Sequence, residues 1–220
     1  MKLNSAMVAR DVIIFGAGGH ALVVADAVRA CGGTVVGHVD TVSPERKGQL
    51  LNGVPIIGDL DELLAEVAGS GAGVAFGFGD CAARYALMRQ LSEYNIELLT
   101  IIHPAAIVSR FAEIGRGGYV GPQAVVEAQV RIGEGAIINC GACICHECRV
   151  GNAVTVCPGV MIGGKTRIGD RTWLGIGATL IDKVSVGTGC VVGAGAVVVS
   201  DLPDRVLAVG VPARIIRKLD

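Results

Sequence analysis

His146 and Glu147 are neighbours in a chain of 220 residues, an imidazole beside a carboxylate. Such a pair can act as a base with an acid group that orients it, if both side chains leave the backbone on one accessible side. A solvated corner would carry the same two residues, and the pair alone does not choose between these readings. A second constellation lies near the start. The apolar run Val12-Ile13-Ile14-Phe15 leads into Gly16-Ala17-Gly18-Gly19-His20, and an Ala/Val-rich amphipathic stretch follows to about Ala30. Strand, glycine-rich turn and helix together bring a phosphate or ribose to a helix N-terminus, where free N–H groups and the dipole favour negative charge. Another apolar run, Thr34 to Val39, ends at Asp40, an acid placed to bond a ribose hydroxyl or a base edge. A third possibility is metal, because Cys140, Cys143, Cys145 and Cys148 surround His146 at spacings that can hold zinc.

The elements that must position these groups are legible in the same sequence. From Ile102 to Val198 every sixth residue is Ile, Val or Leu, without a slip in register. The residue after it is often Gly, and the fourth residue on is nearly always small or β-branched. A period of six over this length predicts a parallel β-helix, with three hexads to each triangular coil of eighteen residues and about five coils in all. The aliphatic and small residues point inward, and glycine is expected to let the backbone turn the corners. In this frame His146 and Glu147 fall at a corner and point outward. Cys148 takes an inward small position, while Cys140, Cys143 and Cys145 occupy three different outer or corner positions, so the thiols are expected to serve packing and not a metal. Trp173 is expected on the outside, as a subunit contact or ligand surface. No loop interrupts the hexads, so a substrate must be covered by another domain or another subunit.

Ahead of the coil, Pro55 to Gly58 and Val74 to Phe78 read as further strands, with helices from about Asp59 to Ala68 and from Gly79-Asp80 to about Glu93. Leu98 to Ile102 reads as a last strand feeding the coil. The division expected is an α/β, Rossmann-like half domain over 1–101 and the hexapeptide β-helix with a C-terminal cap over 102–220. Four strands leave no second half for a nicotinamide, which favours a mononucleotide or nucleotide sugar over a dinucleotide; a plain capping domain is the alternative. His103 before Pro104 reads as a turn residue and His38 as packing. A net charge of −1 and the absence of a basic run give no electrostatic case for nucleic acid. Met1 to Arg10 holds no apolar core of signal-peptide length, no later run reads as a membrane span, and Met7 could be an alternative start, so a cytoplasmic protein is expected.

Taken together, Gly16-Ala17-Gly18-Gly19-His20, Asp40, Gly79-Asp80, Ile102-His103-Pro104, Asn139, His146-Glu147 and Gly210-Val211-Pro212-Ala213-Arg214 resemble the bacterial sugar acyltransferases. That family includes the sialic acid O-acetyltransferase type and the nucleotide-sugar N-acetyltransferases of the bacillosamine and perosamine pathways. The resemblance spans almost the whole chain. It implies a homotrimer of left-handed parallel β-helices, acetyl-CoA lying along the coil at a subunit interface without a metal, and a nucleotide-linked amino sugar supplied by the N-terminal domain for polysaccharide biosynthesis. It implies His146 as general base and Glu147 as its partner, Asn139 as a polar residue of that pocket, and Gly164 as the residue whose amide faces the thioester oxygen. Gly16, Gly18, Gly19, His20, Asp40 and Asp80 would bind the nucleotide sugar. Thr155, where members often carry a second His, would touch CoA together with Gly164, Gly210 and Pro212. The reaction implied is acetyl transfer to a 4-amine by direct attack, with O-acetylation of a sugar hydroxyl or a non-catalytic trimeric scaffold as the alternatives.

Overall fold

The computed structural model describes residues 10–94 and 96–220; the reading of Met1 to Ala9, Met7 included, lies outside the described residues. Each aliphatic hexad residue is the second member of a two-residue strand, from Ile101–Ile102 to Val197–Val198. Each strand pairs in parallel with the strand eighteen residues on, as in Val125↔Cys143, Arg131↔Arg149 and Ile137↔Thr155. The pairings stack into three flat sheets of a left-handed parallel β-helix. Ile138, Ile144, Val156 and Leu174 fill the axis, interleaved with Ala124, Ala142, Cys148 and Val160, all fully buried. Alternation of large and small side chains packs a prism too narrow for rings.

The corners turn differently from the expectation. The glycines that follow the aliphatic residue have no left-handed φ; they are needed because a Cβ at Gly133, Gly151 or Gly169 would lie 2.4–2.6 Å from an atom of the next coil. The corner itself is turned two residues later, in left-handed backbone, at Gly135, Gly141 and Gly159 but also at Gln129, Glu147, Lys165 and Lys183. Glu147 therefore holds a conformation that costs a residue with a Cβ about 1–2 kcal/mol.

The three faces have different characters. One carries Ile107, Val125, Cys143, Met161 and Thr179 outward, and Ile107 and Met161 are exposed; we call it the apolar face. The next carries Glu113, Arg131, Arg149, Arg167 and Ser185, the arginine face. The third carries Tyr119, Ile137 and Thr155, buried under the N-terminal unit, and continues to Trp173, which is half-buried and not the exposed ring expected. This is the docking face.

The N-terminal unit is a five-stranded sheet of order β3-β4-β2-β1-β5, comprising β1 (Asp11–Phe15), β2 (Thr34–Val39), β3 (Leu50–Leu51), β4 (Val54–Gly58) and β5 (Gly73–Phe76). Only β3 runs antiparallel, to β4. Helices α1 (Gly19–Ala30), α2 (Leu60–Ser70) and α3 (Cys81–Leu91) cover it. A capping box at Asp59 and Glu62 starts α2 and a left-handed Gly71 ends it. The expected strand from Leu98 to Ile102 is not one: Leu98 makes a single bridge to Val74, and Ile101–Ile102 is already the first rung of the coil. The seam between sheet and coil is pinned by Arg84 on α3. Its guanidinium is fully buried and donates to the carbonyls of Gly135, Phe78 and Ala153 and to Thr155 Oγ1 at 2.7–3.0 Å. The coil ends in an antiparallel pair, Val206–Val209 with Arg214–Lys218.

Candidate active site

His146 lies at the edge between the apolar and arginine faces, with its side chain 55% exposed. Its backbone N–H is fixed by Glu127 Oε2 at 2.8 Å. Its ring Nδ1 is 3.1 Å from Glu147 Oε1, and the left-handed turn at 147 is what swings that carboxylate back alongside the ring. With Nδ1–H donating to a carboxylate, the lone pair is left on Nε2, the arrangement of a general base. Glu147 Oε1 is also 3.6 Å from Lys165 Nζ, one coil on. The sequence reading missed Lys165 and Glu127, although counting eighteen residues from Glu147 points to the former.

Gly164 is buried beneath the imidazole, and a Cβ there would sit 2.8 Å from His146 Nε2. Its amide, expected to be free for a thioester oxygen, donates instead to Asp182 Oδ1 at 2.7 Å. This corrects the expectation, and the cause is the coil itself. At these corners an Asp or Asn side chain from the next coil accepts the amide below, as Asp170 does for Asn152 at 2.7 Å and Asn152 for Glu134 at 2.9 Å. The role this geometry gives Gly164 is room for the His146 ring. Gly164→Ala should displace the ring and lower kcat about 10–100-fold, the scale of a misplaced catalytic group, while KM for either substrate stays near wild type. An unchanged kcat would show that the ring does not need that space.

Other expected site residues are not gathered here. Asn139 sits on the neighbouring corner across the apolar face, its Oδ1 accepting the Cys140 amide at 2.9 Å. Thr155, expected at CoA, is corrected: it is buried in the seam, where its hydroxyl donates to Gly79 O at 3.1 Å and accepts from Arg84. Gly210 and Pro212 lie in the turn that closes the coil, next to Val197. Of the four cysteines, Cys148 turns inward with Sγ donating to Gly163 O at 3.1 Å, Cys143 lies along the apolar face with Cys145 beside it, and Cys140 is exposed at the corner before them. Among the described residues no three His, Cys, Asp or Glu side chains converge on a metal position.

The glycine-rich turn forms as expected, but its side chains are used locally. Gly16 has φ +125°, and a Cβ there would meet Gly77 O at 2.7 Å. Gly18 and Gly19 are exposed with open space around them at the start of α1. Asp40 is almost buried. Its Oδ1 accepts the amides of Val42 and Ser43 and its Oδ2 pairs with Arg46 at 2.9 Å. Arg46, missed in the sequence, also donates to Ala17 O at 3.0 Å and so ties the acid to the turn. Asp40 thus shapes the mouth of the turn, with two donors on Oδ1 and one on Oδ2. Asp80 caps α3 through the Ala83 amide at 2.7 Å. His38 is buried with Nδ1 donating to Gly16 O, and His103 accepts the Ala105 amide, as packing and turn residues respectively.

His20 turns its ring into the seam, edge-on to Tyr119 with centroids 5.3 Å apart. Burial, with the Arg84 charge adding to it, pushes its pKa down from 6.5 to about 4, and its Nε2 is enclosed without a hydrogen-bond partner. The folded state therefore holds the neutral ring. Its stabilisation is complete above pH 6.5 and is lost as the pH falls towards 4, where the unfolded chain takes up the proton first. Denaturant unfolding should show a fall over that window about 2–3 kcal/mol larger for wild type than for His20→Gln; equal falls would remove His20 from the account.

Comparison with known proteins then identifies the architecture. Residues 11–91 match the PglD N-terminal domain and residues 165–200 the bacterial transferase hexapeptide (six repeats). The perosamine N-acetyltransferase from Caulobacter crescentus, solved with CoA and GDP-perosamine, is 40% identical, with a TM-score of 0.88 over 96% of this chain and 98% of that one. The chain belongs to the sugar acyltransferase family. The acetyltransferase domain of PglB from Neisseria gonorrhoeae, solved with acetyl coenzyme A, is 34% identical with a TM-score of 0.88 over 95% and 100% of the two chains. WeeI from Acinetobacter baumannii, 24% identical over 94% and 100% with a TM-score of 0.81, shares the fold. No curated protein matches. As a sugar acyltransferase, the chain has a histidine-and-carboxylate pair on the coil and a glycine-rich turn ahead of it. No helix among the described residues is long and apolar enough to cross a membrane.

Proposed function

We propose that the protein transfers the acetyl group of acetyl-CoA to the 4-amino group of a nucleotide-activated amino sugar, in the cytoplasm, as a step of polysaccharide biosynthesis. The observation that carries this is the His146 ring, held at Nδ1 by Glu147 with Nε2 facing outward over Gly164. The N-acetyltransferases at 40% and 34% identity, one solved with CoA and GDP-perosamine and the other with acetyl-CoA, supply the substrate classes. The amine attacks the thioester carbonyl, Nε2 takes the proton the nitrogen loses, and the CoA thiolate leaves. No covalent enzyme intermediate is required, since the two reactants are brought together directly.

The active unit proposed is a homotrimer, and the prism gives the reason. The N-terminal unit, assigned to 1–101, packs on the docking face, and His146 occupies the edge opposite that face. Its own glycine-rich turn therefore cannot present a sugar to its own base, whereas a neighbour's can. The exposed Ile107 and Met161 of the apolar face suit burial between the coils. The Asn139 corner of one chain can then approach the His146 edge of the next. CoA is assigned to that groove. The strand pairing Gly210 is three coils from Cys143–Ile144, about 14 Å along the axis at the usual strand spacing, a distance for the pantetheine arm to run.

Two measurements test the reading. Acetyl-CoA with a panel of nucleotide-linked 4-amino sugars should give one free thiol per acetylated amine; acetylation of hydroxyls only would make the enzyme an O-acetyltransferase. Light scattering should give about three times the 22.5 kDa chain mass, and an active monomer would contradict the shared site.

A further inference from the structure

The arginine face holds a feature the reaction as described does not use. Arg131, Arg149 and Arg167 occupy successive rungs of one sheet, in direct register, and all three are exposed. Like charges directly opposite one another on neighbouring strands destabilise a sheet, and little on this face offsets them. Arg131 pairs with Glu113 at 3.2 Å, an exposed contact. Arg149 donates to the Gln129 and Cys148 carbonyls, which carry no charge. Arg167 has no hydrogen-bond or salt-bridge partner among the described residues. Beside the column runs a shallow groove of about 530 Å³, floored by Gly133, Gly151 and Gly169. Those glycines lack side chains because the next coil leaves them no room, so the groove is a consequence of the repeat, and the arginines line it.

We infer that this ladder is the diphosphate-binding subsite for the nucleotide sugar, with Arg149 and Arg167 as its principal contacts. The inference rests on the acetyl-transfer reading given above. Guanidinium groups bind phosphate oxygens in bidentate fashion, and two neighbouring rungs, about 4.8 Å apart, suit two linked phosphates. Position selects the ligand. Arg149 follows His146 by three residues, so the two Cα atoms are within about 10 Å. In a nucleotide-linked 4-amino sugar, one pyranose ring separates the reacting nitrogen from the first phosphate. In acyl-CoA the whole pantetheine arm separates the thioester from the diphosphate, which carries its phosphates past this face. The N-terminal unit of the same chain covers a different face, so the diphosphate would lie between the ladder and the glycine-rich turn of a neighbour.

The test is the double variant Arg149→Gln/Arg167→Gln, with Arg131 and its Glu113 pair left intact. KM for the nucleotide sugar should rise about 10–100-fold, the loss of charge-assisted hydrogen bonds, while KM for acetyl-CoA and kcat at saturation stay near wild type. Calorimetry with GDP and UDP, which needs no turnover, should show the same loss for whichever diphosphate the wild type binds. That arm still reads the ladder if the wild type acetylates none of the sugars tried. A rise in KM for acetyl-CoA alone would assign the ladder to CoA and overturn the inference. So would unchanged constants for both substrates, or dissociation of the trimer, which would make the ladder a subunit contact.

Discussion

His146→Ala should lower kcat by about 10²–10⁴, the usual contribution of a positioned base, with trimer mass and nucleotide-sugar affinity unchanged. The separation of these effects follows from where the residue sits. Its ring is outside the packed prism and, among the described residues, hydrogen-bonds only to Glu147, so no core contact is lost. An amine is already a fair nucleophile, so the loss should lie towards the lower end of the range, and raising the pH should restore part of the rate as more substrate is deprotonated. Glu147→Gln should cost less than His146→Ala, since an amide oxygen can still accept from Nδ1–H while its charge is gone. Steady-state kinetics on the purified variants measure both. A near-normal kcat for His146→Ala at neutral pH would reduce the pair to a solvated corner.

Arg84→Ala should destabilise the protein by about 3–5 kcal/mol, the cost of breaking a buried, fully bonded charged group. Among the described residues no carboxylate side chain bonds this guanidinium; its burial is offset by the Phe78 and Asp80 carbonyls just before α3 and by carbonyls from two coils, together with Thr155 Oγ1. Burial holds its pKa below the usual arginine value. Removing the side chain leaves those acceptors facing a void. Arg84→Lys should recover only part of the loss, because one ammonium cannot reach acceptors on both sides as the planar fork does. Urea unfolding should show the N-terminal unit parting from the coil in an early transition. A loss under about 1 kcal/mol would mean that apolar packing alone holds the seam.

The hexads made the coil legible because an eighteen-residue turn repeats without insertion, so inward and outward positions follow from counting. The outward placement of His146 and Glu147 and the inward placement of Cys148 follow from the same count. What the count does not give is direction along the axis. Asp182 reaches back to the Gly164 amide and Lys165 to Glu147 because the stacking partner eighteen residues on can use its side chain as well as its strand. Glycine after many of the aliphatic residues suggested a turn, whereas the need is clearance from the coil above. Arg84 was not singled out in the sequence. The signal was its place on the stripe with Cys81, Leu87, Met88 and Leu91, all buried on one side of α3. Thr155 and His20 were misjudged for a related reason, since both face a seam between segments far apart in the chain, and no local pattern marks it.

The proposed site is shared between subunits, with the base from one chain and the nucleotide-binding turn from another. Co-expression of two differently tagged inactive chains tests this directly: His146→Ala, and Gly18→Asp, which sets a carboxylate at the start of α1, where a phosphate would approach. Purified mixed trimers should regain acetyl transfer, to roughly a third of wild type, because either mixed composition of a cyclic trimer has one interface in three that pairs an intact base with an intact turn. Mixed trimers as inactive as their parents would place both parts of the site in one chain and contradict the account.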